Sequence, residues 1–227
     1  MAGLGKKLGQ LRQWTGEKMG STSRTETSFE FMRLEQETQL RHAYTERVHE
    51  ACTAYLRGLG KRKESTEDKA KKLPVEILAM SMLHFGQELH DESAYGKALM
   101  QFGEAHTHIA SITVEYVTRV RDGYVQNLQN ILAQMREYEH HKKKLESRRL
   151  DYDSKVNKIL KSRREKPELE EELRQSQLKY EESLEETTRL MISLNTNEPD
   201  QLQDLLAFVD AEAAFYQNCF EVVRQLQ

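Results

Sequence analysis

The densest group of chemically active side chains in this sequence is a cationic run over residues 140–166, opposed by only four carboxylates. Each lysine or arginine near an anionic lipid leaflet contributes about 1 kcal/mol of attraction. A charge run is often only a solvated helix face. This one lies between two predicted helices, at a hairpin tip, where it can reach a membrane. We call it the distal cluster: Lys142, Lys143, Lys144, Arg148, Arg149, Lys155, Lys158, Lys161, Arg163, Arg164 and Lys166.

A second, smaller basic group follows the first predicted helix. The surrounding stretch is too polar to pack, so we expect a mobile basic loop over residues 58–73 that adds electrostatic contact with an anionic surface. Its cations are Lys61, Arg62, Lys63, Lys69, Lys71 and Lys72.

The N-terminal segment, residues 1–20, carries an apolar stripe among cations. On a helix, Leu4, Leu8 and Leu11 share one face, with Trp14 beside them. Several glycines disfavour a helix in water, so an interface would have to order this segment. A membrane-inserting amphipathic helix and an ordinary disordered tail both fit the pattern.

Metal-binding and catalytic patterns do not stand out. His106 and His108 point away from each other on a helix, and His140 and His141 are adjacent, so neither pair chelates as i, i+4 ligands do. No phosphate-binding glycine loop or nucleophile elbow is present, and we predict no enzyme activity, metal or cofactor. Clustered lysines also suit nucleic acid, but no recognition motif or aromatic platform accompanies them, so we predict no nucleic-acid partner.

The composition favours an elongated helical protein over a compact globule. Hydrophobic residues make up 37% of the chain and charged residues 31%, which gives a lean core with much surface. No apolar run approaches the roughly 20 residues that span a bilayer. Cys52 and Cys219 fit free thiols in a reducing compartment. We therefore expect a cytoplasmic protein with peripheral membrane contact.

The predicted fold class is all-α, with three long helices in one domain over residues 21–227. Prolines, glycines and the basic stretch place these helices at about 28–57, 75–164 and 167–226. We expect bends near Leu89–Ser93 and Asn195–Pro199, where turn-forming residues interrupt the helical pattern.

The second predicted helix contains a coiled-coil seam. Its apolar positions recur every seven residues at Tyr124, Ile131, Tyr138, Leu145, Tyr152 and Ile159. The companion row turns cationic at Lys142 and Arg149, so we expect the bundle to thin toward the tip.

The last predicted helix has the widest apolar face in the chain. Its row is wide enough to need more than one neighbouring helix, and homodimerisation is the economical solution. The row consists of Leu202, Leu206, Val209, Ala213, Tyr216, Phe220 and Val223, with Leu205, Phe208 and Phe215 alongside.

One segment carries a family resemblance. Residues 138–153 have the sequence YEHHKKKLESRRLDYD, which resembles the endophilin pattern HHxKKLExRRLD followed by Phe or Tyr and Asp. Shorter matches occur at Phe85–Leu89, Gly103–Ala105 and Glu171–Gln175. The sequence is therefore similar to the endophilin branch of the N-BAR proteins.

The resemblance implies a BAR domain, a long kinked three-helix antiparallel coiled coil that forms a crescent-shaped homodimer. It further implies binding to anionic phospholipid membranes and sensing, stabilising or generating curvature in endocytosis or vesicle trafficking. By position, the N-terminal stripe of Leu4, Leu8, Leu11 and Trp14 would insert into the bilayer. Residues from Lys155 to Lys166 in the distal cluster would contact it.

Two departures from the family pattern bear on these expectations. Animal endophilins have a longer, bilayer-inserting segment after the first helix, whereas residues 60–73 here are fewer and basic, which favours electrostatic contact. Full-length members also end in a Src-homology domain that binds proline-rich partners. The sequence stops at Gln227, so we expect a truncated chain or a relative without that domain. A coiled-coil scaffold that binds cytoskeletal or trafficking proteins without shaping membrane is the alternative.

Overall fold

Long helices dominate the computed structural model, which describes Thr25 and residues 27–64, 69–161 and 167–226, without the side chains of residues 160 and 161. The predicted all-α fold class is confirmed. In chain order the elements are α1 Phe29–Leu59, β1 Lys63–Glu64, β2 Lys71–Lys72, α2 Pro74–Glu88, α3 Ala94–Val120, a π-helical turn Arg121–Val125, α4 Gln126–Lys161, α5 Pro167–Thr196 and α6 Glu198–Arg224.

The first helix is slightly longer than predicted. Ser28 caps its start, because the Ser28 hydroxyl accepts a hydrogen bond from the Phe31 N–H at 3.1 Å. Its end lies beyond Gly58, at Leu59, where the Gly60 N–H still donates to the Leu56 carbonyl at 2.9 Å. Leu56 is buried, so packing holds the last turn in helical form.

The basic stretch contains two short strands where the sequence predicted a loop. Strands β1 and β2 pair in antiparallel orientation, with Lys63 opposite Lys72 and Glu64 opposite Lys71. We call residues 61–64 and 69–72 the basic ladder. The correction has a simple reason: backbone hydrogen bonds between the two short strands compensate for the lack of apolar side chains.

The second predicted helix is divided into α2, α3 and α4. The first break lies at residues 89–93, where Ser93 caps α3 by accepting from the Gly96 N–H at 3.0 Å. α2 then packs closely on α3 through glycines. A Cβ added to Gly103 would lie 2.9 Å from the Ala79 carbonyl oxygen, and one added to Gly86 would lie 2.8 Å from the Gly96 carbonyl oxygen. Glycine at these positions allows the two backbones to touch.

The described chain forms two compact units, which we treat separately. The first contains the described residues up to Thr45 together with Ile131–Glu198, and the second contains Glu46–Asn130 together with the described residues from Pro199 onward.

The core of the first unit is the predicted seam. Ile131, Tyr138, Leu145 and Tyr152 of α4 are all buried, as seven-residue spacing requires. They pack with a partner row from α1 and α5 that consists of Phe31, Tyr180, Met191 and Leu194.

Small polar residues line the same inner face of α5, which the sequence reasoning did not anticipate. Ser183, Thr187 and Thr188 are each no more than 1% exposed. The hydroxyls of Thr187 and Thr188 donate to carbonyls one turn earlier, at 2.8 Å and 2.7 Å. Such internal bonds satisfy the hydroxyls, so these small residues can be buried without loss of hydrogen bonding.

The second unit has its own aromatic core. Tyr116 stacks on Phe215 with ring centroids 4.6 Å apart, and Tyr124 stacks on Phe208 at 5.2 Å. The Glu212 carboxylate accepts from the Tyr116 hydroxyl at 3.2 Å. These contacts tie α3 and the π-helical turn to α6.

One side of α6 has no covering element within the described part of the chain. Phe208 and Phe215 pack inward, but the rest of the predicted apolar row remains exposed. Large exposed side chains of this row are Leu202, Leu205, Leu206, Val209, Tyr216, Phe220 and Val223. An apolar surface of this kind marks an interaction site.

Candidate functional site

The cations of the distal cluster lie in the first unit, on α4 and in the segment that joins α4 to α5. Their environments differ sharply, because the neighbouring helices α1 and α5 carry carboxylates. Some charges of the cluster are therefore already neutralised within the fold, and others are not.

Arg149 is the most deeply buried cation of the cluster among the described residues. It is only 7% exposed and lies between two carboxylates of its own helix. The guanidinium donates to Glu146 at 2.6 Å and 2.9 Å, and to Asp153 at 3.0 Å. Hydrogen bonding to Glu146 raises the pKa of Arg149 further above its ordinary value. In the fold Arg149 is thus a structural cation.

Three more cations of the cluster connect helices within the first unit. Lys142 pairs with Glu35 of α1 at 2.9 Å. Lys144 lies 3.3 Å from Glu186 of α5, and its hydrogen bond lowers the pKa of that carboxyl. Arg148 is similarly engaged with α5: its guanidinium donates to Glu182, to the Ser183 hydroxyl and to the Lys179 carbonyl, at 2.9, 2.7 and 2.8 Å.

The expected thinning of the bundle toward the tip stays a prediction, and up to Arg149 ion pairs keep the companion row packed. The companion row does turn cationic, but Lys142 and Arg149 find carboxylate partners and stay packed. Tyr152, close to the tip, still stacks on Tyr180 at 5.8 Å with nearly parallel rings. Burial raises the pKa of Tyr180 to about 12.

The remaining described members of the cluster form a weaker ion pair or no ion pair within the described chain. Lys155 pairs with Asp151 at 3.0 Å within α4, an arrangement that contributes little at a surface. Lys143 and Lys158 are exposed and have no ion-pair partner among the described residues. Lys161 ends α4, while Arg163, Arg164 and Lys166 lie outside the described residues.

The basic ladder of the second unit also presents cations. Lys61, Lys63, Lys69 and Lys71 are exposed. Arg62 lies 4.0 Å from Glu76, and the Lys72 ammonium donates to the Met80 sulfur at 3.0 Å. Most of the ladder's charge therefore faces solvent.

The predicted inserting residues Leu4, Leu8, Leu11 and Trp14 lie outside the described residues. The described chain begins with a contact that the sequence reasoning missed. The backbone N–H and the hydroxyl of Thr25 both donate to one oxygen of Asp153, at 3.1 Å and 2.6 Å. The two residues are 128 positions apart, so no local pattern could indicate the pair.

Two absences in the described residues limit the chemistry that this part of the chain can carry. No helix in it is long and apolar enough to cross a membrane. Within the same residues, histidines, cysteines and carboxylates form no group of three or more that could hold a metal ion.

The described chain thus consists of long, interrupted helices that carry exposed cations and an uncovered apolar face. Comparison with known families makes this specific. The BAR domain model matches residues 4–227, so this chain belongs to the BAR domain family. Proteins of this family dimerise and bind membranes.

The relatives support the same assignment. An uncharacterized fission yeast protein, C19C2.10 of Schizosaccharomyces pombe, is 32% identical over 99% of this chain and 45% of its own length. The meiotically up-regulated gene 137 protein of the same yeast is 33% identical over 90% of this chain and 49% of its own length. The chain thus spans about half the length of these two relatives.

Rat endophilin-A3 is 30% identical over 100% of this chain and 68% of its own length. The predicted resemblance to endophilins is therefore confirmed.

Proposed function

We propose that this chain binds anionic lipid bilayers as a homodimer and senses, stabilises or generates membrane curvature in endocytosis or vesicle trafficking. We place the protein in the cytoplasm, peripherally associated with membranes. The observation that carries the proposal is the exposed, unpaired state of Lys143 and Lys158 within the described residues, next to the cationic sequence 161–166.

The pairing pattern refines which cations make contact with lipid. A cation that already has a carboxylate partner adds little net charge, whereas a free one contributes about 1 kcal/mol near an anionic leaflet. Among the described cations we therefore propose Lys143 and Lys158 as the main contacts, with Lys155 as a weaker member. From their place in the sequence alone, we propose Lys161, Arg163, Arg164 and Lys166 as further members of the contact set. The basic ladder is a second electrostatic contact.

The homodimer follows from the uncovered row on α6. Leu206, Val209 and Phe220 are each more than half exposed in the single chain. Transfer of apolar surface out of water is favourable at roughly 25 cal/mol per Å². A second copy that covers this face removes the exposure, and membership of a dimerising family supports this assignment.

Co-sedimentation with vesicles tests the electrostatic mechanism. We expect the combined replacement of Lys155, Lys158, Lys161, Arg163 and Arg164 by Glu to weaken binding to phosphatidylserine-containing vesicles at least tenfold, given about 1 kcal/mol per charge. Neutral phosphatidylcholine vesicles should bind neither protein well.

The matched control reverses charge elsewhere on the same hairpin. Arg174 and Arg189 of α5 are exposed and already pair with Glu171 and Glu185, at 3.4 Å and 3.3 Å. The Arg174→Glu, Arg189→Glu variant should bind within about threefold of the wild type, because partly neutralised charges contribute less. Unchanged binding by the distal variant would remove the distal cluster from the mechanism.

The N-terminal stripe is tested separately. Leu8→Glu places a charge on the apolar face, so insertion should fail while dimerisation persists. Electron microscopy of liposomes should then show fewer tubules, and light scattering should show an unchanged dimer. Equal tubulation by the variant would exclude the inserting role.

The scaffold alternative has its own support in the second unit. Phe85, Tyr95 and Phe102 near the α2–α3 break are exposed, and a protein partner would suit these aromatic side chains. A stable dimer with no affinity for anionic vesicles at low salt would favour this alternative over membrane binding.

A further inference from the structure

The Asp153 carboxylate of α4 contacts both a residue of its own helix, Arg149, and a residue far away in the chain, Thr25. Its Oδ2 accepts from the buried Arg149 guanidinium at 3.0 Å, and its Oδ1 accepts twice from Thr25. The Asp153 side chain is only 12% exposed. Hydrogen bonds to an ionised acceptor are among the stronger ones in proteins.

The position of Thr25 makes this contact informative. Thr25 lies three residues before Ser28, which caps α1, so it belongs to no helix. Chain outside a helix needs a specific contact to be held in place. Here the backbone N–H is held together with the side chain, which fixes the direction of the chain at this residue.

We infer that Asp153 is a positioning residue: it anchors the chain at Thr25 to α4, so that the N-terminal segment joins the folded domain at α4 rather than at the start of α1. Asp153 lies two residues before Lys155 and five before Lys158 on the same helix. The chain that leads to the N-terminal stripe is thereby tied to the helix that carries most of the distal cluster.

The arrangement also accounts for a carboxylate within a cationic surface. An exposed acid there would repel an anionic leaflet. Asp153 does not act in this way, because Arg149 compensates its charge and Thr25 occupies its other oxygen. The inference rests on the proposed membrane function for its purpose, and on the Thr25 contact for its location.

Limited trypsin digestion tests the anchor without any membrane. Trypsin cleaves after Arg24, and the N–H of the bond that it cuts belongs to Thr25. We expect Thr25→Val and Asp153→Asn each to release the product beginning at residue 25 at least about fivefold faster than the wild type, because a hydrogen-bonded peptide must open before cleavage. A synthetic peptide of residues 18–31 with the same substitution corrects for the sequence preference of trypsin.

Glu146→Gln is the matched control for the anchor. It also removes a carboxylate partner of Arg149, so it should destabilise the domain much as Asp153→Asn does, but it leaves the Thr25 contact intact. Cleavage after Arg24 should therefore stay within about twofold of the wild-type rate. Equal acceleration by Glu146→Gln and Asp153→Asn would show general loosening and would overturn the anchor.

The single tryptophan of the chain, Trp14, reports on the segment at a membrane. We expect its emission to shift to the blue on phosphatidylserine vesicles. The Thr25→Val variant should need roughly threefold more lipid for half the shift, since a longer free tether lowers the effective concentration at the surface. Unchanged lipid dependence together with unchanged trypsin release would reject the inference.

The two hypotheses fail in different ways. A wild-type protein that neither sediments with vesicles nor shifts its Trp14 emission would contradict the membrane function, whatever trypsin shows. Wild-type binding with no effect of Thr25→Val or Asp153→Asn on cleavage would contradict the anchor alone.

Discussion

Single residues of the distal cluster carry the same charge but lie in different environments, one exposed and one buried among carboxylates. Lys158 is exposed without a partner in the described chain, whereas Arg149 is buried between Glu146 and Asp153. Both stand in the same cationic run. The run supplies many cations, and the surrounding carboxylates decide which of them remain free.

Replacement of Arg149 should therefore affect stability rather than membrane contact. Arg149→Ala leaves two carboxylates without their cation, and hydrogen bonds to charged groups contribute about 1.5–3 kcal/mol each. We expect urea denaturation to show a loss of free energy of unfolding of about that size. Vesicle binding by the folded variant should match the wild type. Lys158→Ala is the matched comparison, with little change in stability and weaker binding.

At the scale of elements, the close packing of α2 on α3 depends on glycines, which have no side chain to separate the two backbones. Gly86 and Gly103 allow backbone contact, and added Cβ atoms there would lie within 3 Å of carbonyl oxygens of the facing helix. A backbone cannot move aside as easily as a flexible side chain. The α2–α3 pair thus tolerates only glycine at these two positions.

Gly103→Ala should destabilise the α2–α3 pair although alanine favours helix. Overpacking typically costs about 1–3 kcal/mol, which exceeds the gain of about 0.5–1 kcal/mol from the better helix former. Hydrogen exchange of the α2 amides should become faster. Gly58→Ala is the control, because a Cβ there meets nothing within 4 Å; it should leave exchange unchanged or slower. Slower exchange in both variants would contradict this account.

At the scale of the whole molecule, the uncovered face of α6 is the surface through which we propose that two copies associate. The second unit buries Phe208 and Phe215 in its own core, and it leaves most of the row beside them in solvent. A large exposed apolar face favours association with another surface. In a family of dimerising proteins, a second copy is the partner that we propose.

Charges on this row should dissociate the dimer. We expect Leu206→Glu combined with Phe220→Glu to shift the mass measured by light scattering from two chains to one, since burial of an unpaired carboxylate is unfavourable. Leu178→Glu on α5, at a leucine that is 52% exposed, is the matched control and should remain dimeric. A dimeric double variant would place the interface elsewhere.

The endophilin-like motif and the helical periodicity could be recognised from the sequence, because both are local. Seven-residue spacing is repeated along one helix, so the burial of Ile131, Tyr138, Leu145 and Tyr152 followed directly from it. The break near Leu89–Ser93 was similarly marked by its own turn-forming residues. The strand pairing within the basic stretch was not marked in this way, because it joins Lys63 to Lys72, which are not neighbours in the sequence.

The sequence alone thus determined the all-α class, the apolar seam, the position of the cationic run and the wide apolar row of α6. Only the tertiary structure decided which cations stay free. Lys142 finds Glu35 of another helix, and Asp153 holds Thr25 from 128 positions away. The physical reason is that an ion pair or hydrogen bond depends on distance in space, and helix packing brings together residues whose separation along the chain carries no periodic signal.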